Sequence, residues 1–429
     1  MLKAGYGGVL FCVKPEDCAM YTQWIEKAGR RDDLLMFSPS AGLRYNFMAA
    51  ELEQTPDVAA AAENLTELVM TAAEVRDRSR GSAGGGGENA TYFIQNSNKY
   101  CRNALFVLRL SGSPVAPQNL LRIVMSAPRS VDELNSPSWQ ASSFCFECLR
   151  RAESASMRES ERADLGIAVD FFCQELPNLN TRTRSSIEST LTAAIDALSR
   201  GLVRDMLSSP NSNFSASMLH AGGIVIMDFP VLVYREVGQL IQVIVKASLQ
   251  RAHSRRNILK NPRPTFMVSD EYHHLAVDAD QVFQSTARST HTAVLNATQS
   301  ITTMMDAFGP QSEVKVHSLL GNSQTQIFHQ QTDTRTISYI QELIGRSRQL
   351  MVNGNSARGG DWLAPLFGNN SGGSTGFSEA YEFELQARDL NGLAKGGPPH
   401  WTAEGIVYQG GRRFPNGRTW MPVTFKQDK

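Results

Sequence analysis

The chain has 429 residues, 41% of them hydrophobic and 20% charged, which is a globular composition with enough length for a large core and a further domain. Lys plus Arg and Asp plus Glu each number 42, so overall charge points to no partner and any basic surface must be local. The sequence has no apolar run of membrane-spanning length and no basic-plus-apolar leader, and therefore reads as soluble or held at a membrane by other proteins.

In chain order, Gly7 to Val13 (GGVLFCV) reads as a buried strand, Cys18 to Ala28 as a helix and Leu34 to Phe37 as a second strand. Strand, helix and strand at this spacing predict one βαβ unit of a mostly parallel sheet. Residues 56–80 carry Ala, Glu, Leu and Val at helical spacing, stopped by SRGSAGGGG. Gly84 to Gly87 fail as a phosphate loop because Glu88, Asn89 and Ala90 follow where Gly-Lys-Ser or Gly-Lys-Thr is needed; they read as a hairpin or linker. From Tyr92 to Asn213 helical patterns dominate, and alternation then resumes at Gly223 to Phe229 (GIVIMDF). This predicts three parts: 1–90 as the first part of an α/β core, 91–213 as an inserted helical domain, and 214–429 as the second part with a C-terminal extension.

Six cysteines scattered through the first half suggest a reduced compartment. Cys145 and Cys148 form a CxxC with no second ligand pair at similar spacing, and are read as packing. A long helix is expected from Tyr234 to Ala252. Further on, helices are expected at 301–308, 312–320 and 334–345, a strand at TQIFHQ, a loop over 352–376, and a last strand and turn through AEGIVYQ and GGRRFPNGRTWMPV.

The chemistry concentrates between Thr265 and Gln299. Phe266, Met267 and Val268 form a short apolar strand that stops on Asp270 and Glu271, the place where open α/β sheets present their ligands. An Asp there orients a magnesium-bound water and a Glu beside it polarises an attacking water; the same two carboxylates also suit a helix N-terminus. A second strand, Thr292 to Ala297, delivers Gln299 to the same edge, as a phosphate-sensing amide or a solvated strand end. Arg288, just before that strand, is either an arginine finger reaching across a subunit interface or a surface residue. Arg251, Arg255, Arg256, Lys260, Arg346 and Arg348 form a candidate basic rim for phosphates.

Together, GGVLFCVKPED, LLMFSPSAGLRYNF, AGGIVIMDFP, FMVSDEYHHLA, ARSTHTAVLNATQS and LLGNSQTQIFHQQTDTRTISYIQELIG resemble the conjugative coupling proteins of type IV secretion systems, the TraG/TraD/VirD4-like family. The resemblance implies an α/β, RecA-like, mostly parallel sheet core with an inserted all-helical domain, ATP and Mg²⁺ as cofactors, and assembly into a homo-oligomeric ring. It also implies partners in DNA, a relaxosome or secretion-substrate protein and the secretion channel, at the inner face of the bacterial inner membrane. By motif match Asp270 is the Walker B Asp and magnesium residue, Glu271 the catalytic Glu, Gln299 the phosphate-sensing Gln and Arg288 the finger. The Lys14-Pro15-Glu16 segment is similar to the family's strand-end DPKGE. The family's Walker A loop and N-terminal membrane segment are missing from these residues. The chain alone is therefore expected to bind ATP poorly, either as the C-terminal portion of a longer or split ATPase or as a non-catalytic recognition module.

Overall fold

The structure is a computed structural model that describes residues 1–79, 88–210, 212–309, 312–355 and 374–427. Two compact units are present: Met1–Gln299 with Thr303–Asn322, and Ser300–Thr302 with Ser323–Lys429.

In the first unit, β1 (Gly7–Phe11), β2 (Leu34–Phe37), β3 (Ile224–Met227), β4 (Thr265–Ser269) and β5 (Thr292–Asn296) form one sheet in the order β2-β3-β1-β4-β5. Every pairing in it is parallel. β1 and β3 are buried along their whole length, as their unbroken apolar sequences require. Two glycines let the neighbours close on β1. A Cβ on Gly7 would sit 1.9 Å from the Leu219 carbonyl oxygen, and one on Gly8 would sit 2.3 Å from that of Phe266. The helix between β1 and β2 is Asp17–Lys27, yet β1 and β2 are not neighbours. The slot between them is filled by β3, which returns after the helical stretch.

Between β2 and β3 the described residues form helices and loops only. The main helices are Phe47–Gln54, Val58–Ser79, Glu88–Leu110, Pro117–Ser126, Phe144–Ser154 and Thr181–Ser199. Several start at the polar residues their sequences supply: Asn46, Ser143 and Asn180 each accept a backbone N–H with the side chain. Their apolar faces, carrying Leu68, Ala72, Tyr100, Ala104, Leu191 and Ile195, join one core with Val9, Phe11, Val225 and Met267 of the sheet. Cys145 and Cys148 sit on one helix inside this core, with burial pushing both thiols up. The glycine cluster Gly84 to Gly87 lies outside the described residues.

The helix Val231–Arg255 is longer than its sequence pattern suggests, with a kink at Arg235 (φ 48°). Residues Gly238 to Gln250 on it are all buried, because it is packed between the sheet and the helical layer. Its Gln242 donates to the carbonyls of Cys12 and Phe229 at 2.9 and 2.8 Å, fastening it to the ends of β1 and β3.

In the second unit, β6 (Thr325–Phe328), β9 (Thr402–Gln409) and β10 (Trp420–Lys426) form an antiparallel sheet with β9 in the centre. A helix, Thr334–Ile344, contributes Ile337 and Ile340 to a small core with Leu390, Ile406 and Trp420. β7 (Arg346–Asn355) and β8 (Ser374–Phe383) pair as a separate antiparallel ribbon. The expected loop over 352–376 is therefore strand at both ends, and 356–373 lies outside the described residues.

Candidate functional site

Parallel pairing aims every carboxyl end of the large sheet at one edge, and that edge gathers Lys14, Asp270, Glu271 and Gln299. Lys14 leaves the end of β1 through a turn shaped by buried Asp17, whose Oδ2 accepts the backbone N–H of Val13 at 2.8 Å and of Lys14 at 2.7 Å. Asp270 follows β4 directly, and its Oδ1 accepts the Glu271 N–H at 2.9 Å. Glu271 takes left-handed backbone angles, φ 45° and ψ 47°, a conformation that costs a non-glycine residue roughly 1–2 kcal/mol. Such a residue persists only where its surroundings hold it, and these residues cluster at functional sites.

Glu271 Oε1 accepts from Lys14 Nζ at 2.8 Å and from Gln299 Nε2 at 3.3 Å, while Lys14 Nζ also lies 3.4 Å from Asp270 Oδ2. The hydrogen bond to Glu271 raises the Lys14 ammonium above its ordinary value; partial burial opposes this, and the charges of the two carboxylates add to it. Burial pushes Glu271 up, but hydrogen bonds from Lys14 and Gln299 and the Lys14 charge together hold its carboxyl below the ordinary range. Both partners are therefore charged near neutral pH.

Asp270 and Glu271 would be the residues to hold a hydrated cation, in competition with the Lys14 ammonium that pairs with both. Glu271 Oε2 is buried without a hydrogen-bond partner, as are Thr298 Oγ1 and His273 Nδ1, the last 3.8 Å from Glu271 Oε2. These atoms suit bound water, and magnesium keeps most of its waters when one or two carboxylates hold it. Among the described residues no group of three or more His, Cys, Asp or Glu could hold a bare metal ion. The 429 residues contain no Gly-Lys pair, so the motif that cradles phosphates is not in this sequence.

Arg288 is exposed in the turn before β5, at the amino end of the strand, whereas Gln299 follows the carboxyl end. The structure thus brings Asp270, Glu271 and Gln299 together and leaves Arg288 on the opposite edge of its own sheet. Most of the candidate basic rim is committed internally. Arg255 forks onto buried Glu51 at 2.6 and 2.9 Å, Arg251 pairs with Glu67, and Arg256 donates to the carbonyls of Arg263 and Thr290. Arg346 and Arg348 lie over the rings of Phe383 and Tyr381 on the β7–β8 ribbon. Lys14 was given no site role from the sequence; its signals were its place just past the carboxyl end of a buried strand and the likeness of Lys14-Pro15-Glu16 to the family's strand-end segment.

Residues 1–354 match the family described as type IV secretory system conjugative DNA transfer, and the chain belongs to that family. The fold is a RecA-like core with a helical domain, shared with solved bacterial conjugative coupling proteins. The unbound monoclinic form of the bacterial coupling protein TrwBdeltaN70 has a TM-score of 0.53 at 11% identity, covering 100% of this chain and 86% of that one. The plasmid coupling protein TrwB in complex with ADP and Mg²⁺ gives 0.53 at 12%, over the same shares. TrwB with a non-hydrolysable ATP analogue gives 0.53 at 13%, covering 100% of this chain and 87% of that one. No curated protein matches the chain.

Proposed function

We propose that this chain forms the hydrolytic edge of a conjugative coupling ATPase, which recognises DNA with its relaxosome, or a protein substrate, and drives its transfer to a type IV secretion channel. The cluster of Asp270, Glu271, Gln299 and Lys14 at the carboxyl edge of an all-parallel sheet carries this reading. ATP with Mg²⁺ would supply the transferable phosphoryl group and its counter-charge. Toward them Asp270 would hold a water of the metal, Glu271 would take or polarise the proton of the attacking water, and the Gln299 amide would report the terminal phosphate.

The phosphate loop would come from sequence outside these residues. β5 is the edge of the sheet among the described residues and exposes Leu295, so one more parallel strand has a place to pair there. A loop leaving that strand's carboxyl end would open beside Gln299. Arg288, at the other edge, would act on the site of a neighbouring copy in a ring, and the helical stretch would meet substrate or accessory proteins. No helix among the described residues is long and apolar enough to cross a membrane.

A second reading is a recognition module without hydrolysis. It is favoured by Lys14, whose ammonium already pairs with both carboxylates, and by the absence of a Gly-Lys pair. Calorimetric titration with Mg-ATP separates the two. The hydrolytic reading predicts weak binding by this chain and at least a tenfold gain once sequence bearing a phosphate loop is joined or added. No gain overturns it in favour of the recognition module.

A further inference from the structure

The loop that follows Glu271 is fastened from beneath by charged and polar side chains with no place in the reaction just described. Asp280 is buried, and its carboxylate collects four donors. Lys246 Nζ and the Tyr272 hydroxyl reach Oδ2 at 2.6 Å each, the Val277 N–H reaches the same oxygen at 3.0 Å, and Gln250 Nε2 reaches Oδ1 at 2.8 Å. Lys246 Nζ donates in addition to the Leu275 carbonyl at 2.5 Å, and Gln239 Nε2 donates to the His274 carbonyl at 2.6 Å.

Gln239, Lys246 and Gln250 are spaced seven and four apart on the helix Val231–Arg255, which places them in one stripe facing the loop. Apolar residues along that stripe would have packed there without the desolvation penalty of a buried ion pair, so stability alone is a weak reason for it. What the stripe does is address particular atoms: two carbonyls and one carboxylate within ten residues of Glu271. Tyr272, next to Glu271 and 1% exposed, is pinned at both ends, by its hydroxyl on Asp280 and by its N–H on the Ala297 carbonyl at 2.8 Å. Glu271 holds its left-handed angles immediately before this anchor.

We infer that Lys246, Asp280 and Tyr272 are positioning residues, which clamp the loop so that Glu271 stays in its left-handed conformation with its carboxylate on Lys14 and Gln299. The inference rests on the proposed role of Glu271, and deepens it by naming what keeps that carboxylate aimed.

A water-soluble carbodiimide tests it without any need for turnover. The reagent activates a carboxyl and takes up the oxygen lost as the amide forms, so it joins only a lysine and a carboxylate already in contact. Peptide mass spectrometry then reads the Lys14–Glu271 link against the Lys99–Glu175 pair, 2.5 Å apart on the helical stretch and away from the loop. In the wild-type chain both links form. In Tyr272→Phe, which keeps the ring and loses only the hydroxyl, and in Asp280→Asn, the ratio of the first to the second is expected to fall at least threefold in protein that remains folded by circular dichroism. If Asp280→Asn does not fold, the Tyr272→Phe arm decides. An unchanged ratio in folded variants overturns the clamp and leaves the site intact. Absence of the Lys14–Glu271 link in the wild type instead removes the geometry behind the proposed function, and the clamp with it.

Discussion

At the scale of single residues, Lys14 ties the two carboxylates of the site together. It lies within 3.4 Å of both carboxylates and is about one-third exposed, so solvent screens part of the interaction. Lys14→Met is expected to cost ~0.5–1 kcal/mol at neutral pH, read by denaturant unfolding. The sign with pH follows from the two shifts. Glu271 is held below its ordinary value of 4.5, so its share is present above that pH and fades as pH falls through the folded value. Lys14 is raised above 10.5, so its share is present below that pH and fades as pH rises further. Wild type and Lys14→Met should therefore converge in stability in acid; a constant gap down to pH 2 would contradict the assignment.

A second pair titrates on its own. His220 Nε2 and His253 Nδ1 lie 2.9 Å apart. Burial, then a nearby Arg256 charge, lowers His220 from 6.5 to about 4. Burial, the other imidazole and Arg256 lower His253 to about 3. The folded protein resists protonation that the unfolded chain accepts, so stability present above pH 6.5 is lost as pH falls toward the folded values. His253→Gln should flatten unfolding free energy measured between pH 6.5 and 4, and an unaltered slope would rule the pair out as its source. At this scale Asp270, Glu271 and Gln299 were legible, because each ends an apolar run that stops abruptly. Lys14 was not, since a lysine beyond a strand gives no hint that a residue 257 positions later will meet it.

At the scale of elements, the strands were readable where burial on both faces makes the sequence apolar throughout, as in Val9 to Phe11 and Ile224 to Met227. The order of the strands was not, because β3 enters between β1 and β2 only after the helical stretch and local pattern carries no record of it. The β7–β8 ribbon escaped for a different reason: residues 352–355 read VNGN, which carries turn residues, and their pairing comes from a partner strand beyond residue 373. Glycine choice in β1 is a physical requirement. Gly8→Ala would drive a Cβ into the Phe266 backbone and side chain, both under 3.0 Å, and strand separation is the only relief. A loss of about 2 kcal/mol or more is expected, scored by the denaturation midpoint. An unshifted midpoint would mean that β1 and β4 do not pair as described.

At the scale of the whole molecule, the acidic pair is organised by elements far apart in sequence: β1 supplies Lys14, β4 the carboxylates, β5 the amide and a buried helix the clamp. Such convergence costs chain entropy and backbone strain that a merely structural turn would not need. The internal pairing of Arg251, Arg255 and Arg256 argues that contact with a nucleic acid backbone, if made by this chain, uses other groups. The most direct test is steady-state hydrolysis of Mg-ATP by the chain joined to sequence bearing a phosphate loop, compared with the same protein carrying Glu271→Gln. The proposed role of Glu271 predicts turnover in the first and a loss of roughly 100-fold or more in the second with nucleotide binding retained. Equal turnover in both would contradict it.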